Sequence, residues 1–222
     1  MFAEYKATDF LSDKTKKDHL KLLDGYEKNS AELEKKLAKA DPDKSNAGNS
    51  DFRFAVDNLR FNYNAQLFHI MYFRQITAKP TTPSAIFKNW LDVNIKNKEA
   101  TFKSYDDWKE ALFATAKASQ GWVVFGFDPF ANQLKIIPVD SHDIGLPPAF
   151  FPLLVLDVWE HAYVGDFGTD RGAYVKAWFK HIDWDHVMTM AEICGRSRSD
   201  HFMTTVTAGI YNQLHILGYL KG

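Results

Sequence analysis

The sequence predicts an α+β protein in which an N-terminal helical hairpin precedes a domain with a small three-stranded antiparallel sheet. Two long segments, residues 12–38 and 51–77, have apolar residues at helical spacing. Three short runs rich in β-branched and aromatic residues follow in the second half of the chain. A chain whose helices precede a small antiparallel sheet in sequence, instead of alternating with its strands, is typical of the α+β class.

The first predicted helix, residues 12–38, is amphipathic, and turn-forming residues at 41–50 separate it from the second. The second, residues 51–77, carries apolar residues on most faces, so we expect it to be buried. These residues are Phe54, Val56, Leu59, Phe61, Leu67, Phe68, Ile70, Met71 and Phe73.

Pro80 and Pro83 interrupt the helical pattern and predict a domain boundary, with a hairpin domain over residues 1–80 and an α+β domain over residues 84–222. The second domain is expected to contain helices at 84–94 and 105–119, strands at 122–128, 134–140 and 152–157, and helices at about 170–180 and after Trp184.

Composition excludes several classes of partner. The net charge of −1 gives no basic field for nucleic acid. The uncharged stretch 201–220 is too polar for a membrane span, and the stretch 144–156 is too short and is interrupted by prolines. Cys194 is the single cysteine, so no internal disulfide forms, and the first residues lack the order of a signal peptide. We therefore expect a cytoplasmic protein with no membrane partner.

The most informative string is Asp-Val-Trp-Glu-His-Ala-Tyr at residues 157–163, directly after a predicted strand. A carboxylate and an imidazole placed this way can share one first-row metal ion. Alone, the Asp-x-x-x-His spacing is weak evidence, since it also occurs in surface salt bridges and helix caps.

The whole string is similar to the signature of the iron/manganese superoxide dismutases. Residues 102–113, 120–122 and 174–184 also resemble segments of that family, with Gln120 replacing its usual Ser, so the likeness covers residues 10–190. The resemblance implies an enzyme that converts superoxide to oxygen and hydrogen peroxide by alternating reduction and oxidation of one bound Fe or Mn ion per subunit.

The resemblance implies four metal ligands: His19, His69, Asp157 and His161. His19 ends the expected Ser-x-x-Thr-x-x-x-His pattern that begins at Ser12, and His69 is the only histidine on the second predicted helix. Three neutral imidazoles and one carboxylate would leave one negative charge to offset the metal, and room for a solvent molecule.

Further residues acquire roles from the same resemblance. Tyr26 is similar to the gateway tyrosine, although it lies one residue closer to the first ligand than in many relatives, and an ordinary core-facing ring is the alternative. His142 stands where manganese-type relatives carry a Gln that bonds the coordinated solvent, and Ala65 leaves room for its imidazole. Trp122 and Trp159 are expected to form an apolar wall around the site.

Glu160 is expected to bond the ligand His161 of a second subunit, which implies a homodimer or higher oligomer; a solvated surface Glu is the alternative. Lys16, Lys17 and Lys21 flank His19 and could steer a small anion, but a solvated helix face is the favoured explanation.

The chain also departs from the family pattern. Leu23 and Val164 replace a His and a Tyr that often pair across the dimer. Residues 188–222 extend past the usual end, where Leu214, Ile216, Leu217 and Leu220 suggest a packed helix or an oligomer contact. His142 occurs with either metal, so iron and manganese stay open.

Two other functions fit parts of the sequence. An iron oxygenase of the two-His-one-carboxylate class would use Asp157 and two histidines, but the third histidine and the lack of an obvious Arg pocket for a 2-oxo acid argue against it. A structural or binding module that has lost its metal is the other, and the presence of all four implied ligands argues against that.

Overall fold

The computed structural model describes residues 2–96 and 102–199 and confirms the α+β class. Within these residues the elements are α1 (Ala3–Ala7), α2 (Asp13–Leu37), α3 (Asp51–Arg74), α4 (Ala85–Lys96), α5 (Tyr105–Ala118), β1 (Trp122–Asp128), β2 (Gln133–Val139), β3 (Phe151–Asp157), α6 (Glu160–Phe167), α7 (Arg171–Phe179) and α8 (Trp184–Ser199). A short 3₁₀ turn at Pro42–Lys44 lies in the loop of the hairpin.

Helices α2 and α3 pack against each other as the predicted hairpin, and a serine begins each one. The Ser12 hydroxyl accepts from the backbone N–H of Thr15, and the Ser50 hydroxyl accepts from that of Arg53. These caps satisfy backbone donors that have no partner inside the helix, so both start positions are fixed by local sequence.

The expectation that α3 is buried on most faces is wrong. Phe54 and Tyr63 are 58% and 50% exposed, and Val56 and Leu67 also face outward. Within the described ranges, other elements cover the hairpin on one side only, so α3 buries residues such as Phe68, which stacks on Trp122 of β1.

Helix α3 also ends at Arg74, three residues before the predicted end at residue 77. Gln75 leaves the helix because its side chain bonds the backbone of β3: its amide donates to the Leu153 carbonyl, and its carbonyl accepts from the Val155 N–H. Ile76 pairs with Ile182 in an isolated bridge, which joins the hairpin to the C-terminal helices.

The predicted three-stranded antiparallel sheet is confirmed, with β1 in the centre and β2 and β3 on either side. In its register, Trp122 pairs with Val139 on one neighbour and with Asp157 on the other. The pairing of β1 with β3 shifts register between Phe125 and Gly126, where Leu153 is the extra residue in β3, and a side chain at Gly126 would clash with the Phe151 carbonyl oxygen. The sheet therefore brings the start of β1 beside the ends of β2 and β3.

One hydrophobic core includes residues from both predicted domains, for example Tyr72 on α3 and Trp108 on α5. The division at residues 80–84 stays a prediction.

The C-terminal stretch is described only as far as α8, residues 184–199. The apolar residues for which a packed helix or an oligomer contact was expected lie outside the described residues: Leu214, Ile216, Leu217 and Leu220. Over the described ranges, no helix has the length and apolarity that a membrane crossing requires.

Candidate metal centre

Four of the predicted site residues come from four separate elements. His19 lies on α2 and His69 on α3, and the packing of the hairpin brings their ring centroids to 5.0 Å. Asp157 is the last residue of β3, and His161 is the second residue of α6. The turn from β3 into α6 therefore carries two side chains to the rings supplied by the hairpin.

The possible ligand atoms of His19, His69, Asp157 and His161 all lie within 4.8 Å of one another. Oδ2 of Asp157 is 3.1 Å from Nε2 of His19, 3.3 Å from Nε2 of His161 and 3.7 Å from Nε2 of His69. The side chains of His19, His69 and Asp157 have no exposed surface, whereas that of His161 is 30% exposed. These atoms converge on one point, as the ligands of a single ion do.

His69 provides a direct test of whether the cluster fits a metal. Its Nδ1 is 2.7 Å from the Ala65 carbonyl oxygen, which only accepts, so Nδ1 carries the proton and Nε2 has the lone pair. That buried Nε2 has no hydrogen-bond partner among the described residues. Because a buried polar atom without a partner is costly, a lone pair aimed at this cluster fits metal coordination.

The charges of the cluster also suit a cation. Burial lowers the pKa of His69 to about 3, and burial likewise lowers the pKa of His19. Burial by itself would raise the pKa of Asp157, but the nearby His161 and hydrogen bonds from His161 and His19 outweigh it, so the net pKa is below the usual range. His19 and His69 are therefore neutral beside an ionised Asp157 at neutral pH.

His142 reaches the site from the loop after β2. The Trp122 indole N–H donates to its Nδ1 at 2.9 Å, and burial lowers its pKa to about 4. An indole can only donate, so Nδ1 is the acceptor and Nε2 carries the proton of the neutral ring. Nε2 lies 3.3 Å from the Tyr26 hydroxyl, so the hydrogen bonds run from Trp122 through His142 to Tyr26.

Aromatic rings surround the cluster, as expected from the sequence. Trp122 meets His69 edge to face with centroids 4.9 Å apart, and Phe68 stacks on Trp122 with centroids 5.1 Å apart. The Trp159 ring lies 5.5 Å from His142, and Tyr26 lies 5.2 Å from His69. The spacing of seven residues between His19 and Tyr26 therefore still brings the tyrosine ring to the cluster.

The charged residues that the sequence places near the cluster differ in their surroundings. Glu160 is exposed, next to His161. Lys16 is buried, with Nζ donating to the carbonyls of Lys6 and Thr8, so it ties α1 to α2 and does not face solvent. Lys17 and Lys21 are exposed.

Three tyrosines near the site were not predicted. Tyr5 on α1 is fully buried and places its hydroxyl 3.2 Å from Nδ1 of His19. The Tyr174 hydroxyl donates to the Asp157 carbonyl at 2.8 Å and meets the Tyr72 hydroxyl at 2.9 Å. A helix of five residues is too short to show a periodic pattern, so the sequence did not indicate the position of Tyr5. A hydrogen bond from a hydroxyl to a backbone carbonyl has no sequence motif, so the contact of Tyr174 was not predictable either.

The fold and this cluster define a class: an α+β protein in which a helical hairpin and a strand end assemble a buried site of three histidines and one aspartate. Residues 92–190 match the family model of iron/manganese superoxide dismutases, C-terminal domain, a stretch that includes Asp157 and His161. The chain is 32% identical over 167 residues to a superoxide dismutase (Fe) of Aquifex pyrophilus, covering 73% of this chain and 75% of the relative.

Two other relatives match over shorter stretches. The superoxide dismutase (Mn) 2 of Halobacterium salinarum is 46% identical over 88 residues, which is 40% of this chain and 44% of that relative's length. The superoxide dismutase (Mn/Fe) of Aeropyrum pernix is 30% identical over 142 residues, or 62% and 63% of the two chains. The chain belongs to the iron/manganese superoxide dismutase family.

Proposed function

We propose that this protein is a superoxide dismutase that converts two superoxide ions and two protons to oxygen and hydrogen peroxide. The observation that carries the proposal is the convergence of three imidazoles and one carboxylate within 4.8 Å, with His19, His69 and Asp157 buried. The neutral rings of His19 and His69, the ionised Asp157 and the free lone pair on Nε2 of His69 support the same conclusion.

One iron or manganese ion per subunit would be held by His19, His69, Asp157 and His161. Such an ion supplies one-electron chemistry by passing between its +2 and +3 states. Asp157 contributes the single negative charge of the ligand set, and Tyr174 fixes the backbone of Asp157 through its carbonyl. Trp159 donates its backbone N–H to Oδ1 of Asp157 at 2.9 Å, which leaves Oδ2 directed at the histidines.

His142 and Tyr26 are the proposed catalytic groups beside the ion. Since Nε2–H of His142 donates to the Tyr26 oxygen, the phenol proton is free to point into the cavity and to bond an anion there. Burial raises the pKa of Tyr26, so this proton stays on the oxygen at neutral pH. The rings of Trp122 and Trp159 exclude water and larger anions from the same space.

The limited exposure of the ligands favours a small substrate. The His161 side chain is 30% exposed, while the other three ligand side chains have no contact with solvent. A diatomic anion could enter where an organic co-substrate could not, which favours a dismutase over an oxygenase. The exposed Lys17 and Lys21 would attract such an anion.

A homodimer, or a higher oligomer, would complete the surroundings of His161. Ligand histidines almost always donate their second N–H to a carboxylate or carbonyl. Among the described residues of this chain, Nδ1 of His161 has no such partner, although Nε2 faces Asp157. The exposed Glu160 of a second subunit would supply the carboxylate, and two-fold symmetry would make the bond reciprocal.

The buried single Cys194 is consistent with a cytoplasmic location.

Reconstitution of metal-stripped protein separately with Fe²⁺, Mn²⁺ and Zn²⁺ tests the proposed activity. We expect about one ion per chain in each case, with superoxide consumption restored by iron, manganese or both and not by zinc, which has no redox chemistry. Equal superoxide consumption by stripped, zinc-loaded and iron- or manganese-loaded samples would contradict the proposal.

A further inference from the structure

Helix α1, only five residues long, brings one hydroxyl to the metal cluster. Tyr5 is fully buried, and its ring packs against Phe73 with centroids 4.3 Å apart. Lys16 on α2 holds the end of α1 by donating to the carbonyls of Lys6 and Thr8 at 3.0 and 2.9 Å. The Tyr5 hydroxyl therefore has a fixed position, 3.2 Å from Nδ1 of His19.

The two histidines of the hairpin differ in the partner of Nδ1. His69 faces the Ala65 carbonyl, which can only accept, so its ring is restricted to the tautomer with a proton on Nδ1. His19 faces a hydroxyl, which can either donate or accept. His19 can therefore keep a hydrogen bond at Nδ1 in either neutral tautomer, and His69 cannot.

Both tautomers of His19 are needed by a site that takes up a metal ion. When Nε2 of His19 donates to the Asp157 carboxylate, 3.1 Å away, Nδ1 has the lone pair and must accept. When Nε2 binds a metal, the proton moves to Nδ1, which must donate. Because His19 has no exposed surface, water cannot replace the missing partner in either case.

We propose that Tyr5 is a positioning residue that holds His19 in both tautomers, donating to Nδ1 in one and accepting from it in the other. This inference rests on the proposed metal centre. It explains why α1 packs beside the cluster. It also distinguishes two ligands: on metal uptake the proton of His19 moves from Nε2 to Nδ1, whereas His69 already has its proton on Nδ1.

The test compares Tyr5→Phe, which removes only the hydroxyl, with the parent protein and with Tyr72→Phe. Tyr72 is an equally buried tyrosine whose ring lies 5.4 Å from that of His19, but its hydroxyl bonds Tyr174 instead of a ligand. Release of Mn²⁺ to an excess of chelator should be about 10- to 100-fold faster from Tyr5→Phe, the range for loss of a ligand's hydrogen-bond partner. Tyr72→Phe should release Mn²⁺ within about twofold of the parent rate.

A spectroscopic measurement separates hydrogen bonding from packing. In zinc-loaded protein, which is diamagnetic, the proton on Nδ1 of His19 should give an NMR signal that shifts and exchanges faster with water in Tyr5→Phe, but not in Tyr72→Phe. Tyr5→Leu, which lacks the hydroxyl but keeps an apolar side chain, should also release Mn²⁺ faster than the parent.

The failures of the two proposals are distinguishable. A parent protein that takes up neither Mn²⁺ nor Zn²⁺ would overturn the metal centre, and this inference with it. Equal Mn²⁺ release from the loaded parent and Tyr5→Phe, with an unchanged Nδ1 proton signal, would overturn only the role of Tyr5.

Discussion

Three buried imidazoles of the site differ in the group that each one's second nitrogen faces. His69 faces a backbone carbonyl, His19 a phenol and His142 an indole N–H. The carbonyl only accepts, the phenol can donate or accept, and the indole only donates. The three partners therefore favour different positions of the ring proton. The partner of Nδ1 thus determines whether Nε2 of a histidine has a lone pair for a metal, as in His69, or a proton to donate, as in His142 to Tyr26.

His142 offers a residue-scale prediction that separates catalysis from metal binding. His142→Ala should keep its metal and lose most activity, because the Tyr26 hydroxyl loses the hydrogen bond that His142 donates to it. His142→Gln is the matched control: its amide can accept from Trp122 and donate to Tyr26, so it should retain more activity than the alanine variant. Metal analysis and superoxide consumption are the measurements, and an active His142→Ala would show that His142 only packs.

The low pKa of His69 predicts a pH dependence of stability in metal-stripped protein. Its folded pKa of about 3 lies below the unfolded value of 6.5, so the unfolded chain binds the extra proton between these pH values. Stability is therefore complete above about pH 6.5 and is lost as the pH falls, by up to about 1.4 kcal/mol per pH unit from this histidine. Urea unfolding at pH 7.5 and 5.0 measures it, and equal free energies of unfolding would contradict the pKa assignment.

At the scale of elements, the hairpin and the strand ends were predictable because their signals are local. Residues 12–38 and 51–77 carry helical periodicity, and the residues 157–163 follow an apolar strand directly. The structure ends these elements within a few residues of the predicted positions and brings the four expected ligands together. The ligand set itself came from resemblance to a family, since no spacing in the sequence relates His19 or His69 to Asp157.

Features that depend on tertiary contacts were not predictable. The end of α3 is set by the hydrogen bonds of Gln75 to β3, and one face of α3 is exposed because no described element packs over it. Both facts depend on where distant elements pack, which periodicity along one helix does not report. The buried Lys16 is a similar case. A lysine in a run of charged residues is expected to be solvated, and Lys16 is buried because α1 packs against it and accepts its hydrogen bonds.

An element-scale prediction concerns the loop that carries His142. Arg60 on α3 donates from Nε and Nη2 to Oδ2 of Asp143 at 3.1 and 2.9 Å, and Ser141 donates to Oδ1 at 2.8 Å. Arg60→Gln should lower the free energy of unfolding by about 0.2–1 kcal/mol, as expected for a partly exposed pair, and should also reduce turnover because the loop loosens.

Arg53→Gln is the control for Arg60→Gln. Arg53 pairs with Asp57 at 2.6 Å on the same helix, and among the described residues no hydrogen bond or ion pair joins its side chain to the loop, so its loss should cost similar stability with unchanged turnover. Urea unfolding and superoxide consumption on both variants decide between local and general effects. Equal turnover in the two variants would show that the Arg60–Asp143 pair does not position His142.

At the scale of the whole molecule, the proposed dimer would link assembly to metal retention. The exposed Glu160 follows the ligand string and lies beside the partly exposed His161, so one contact between subunits would serve both. Val164, 42% exposed on the same helix, could add an apolar contact where many relatives carry a polar pair. Glu160→Ala should therefore weaken association and metal retention together.

Sedimentation velocity and metal analysis of Glu160→Ala measure both effects on one sample. Glu110→Ala, at an exposed Glu on α5 far from the string in sequence, is the control and should change neither property. A Glu160→Ala protein that sediments as the parent does and keeps its full metal content would contradict the reciprocal contact.

The proposed activity requires that the four converging residues hold one redox-active ion that consumes superoxide. The most direct measurement compares metal content and superoxide consumption of the parent, His161→Ala and His186→Ala, all prepared together. His186 is a half-buried histidine on α8 outside the cluster, so its replacement should leave both quantities unchanged. We predict about one iron or manganese per chain in the parent, and loss of most metal and activity in His161→Ala. Full metal content and activity in His161→Ala would contradict the account.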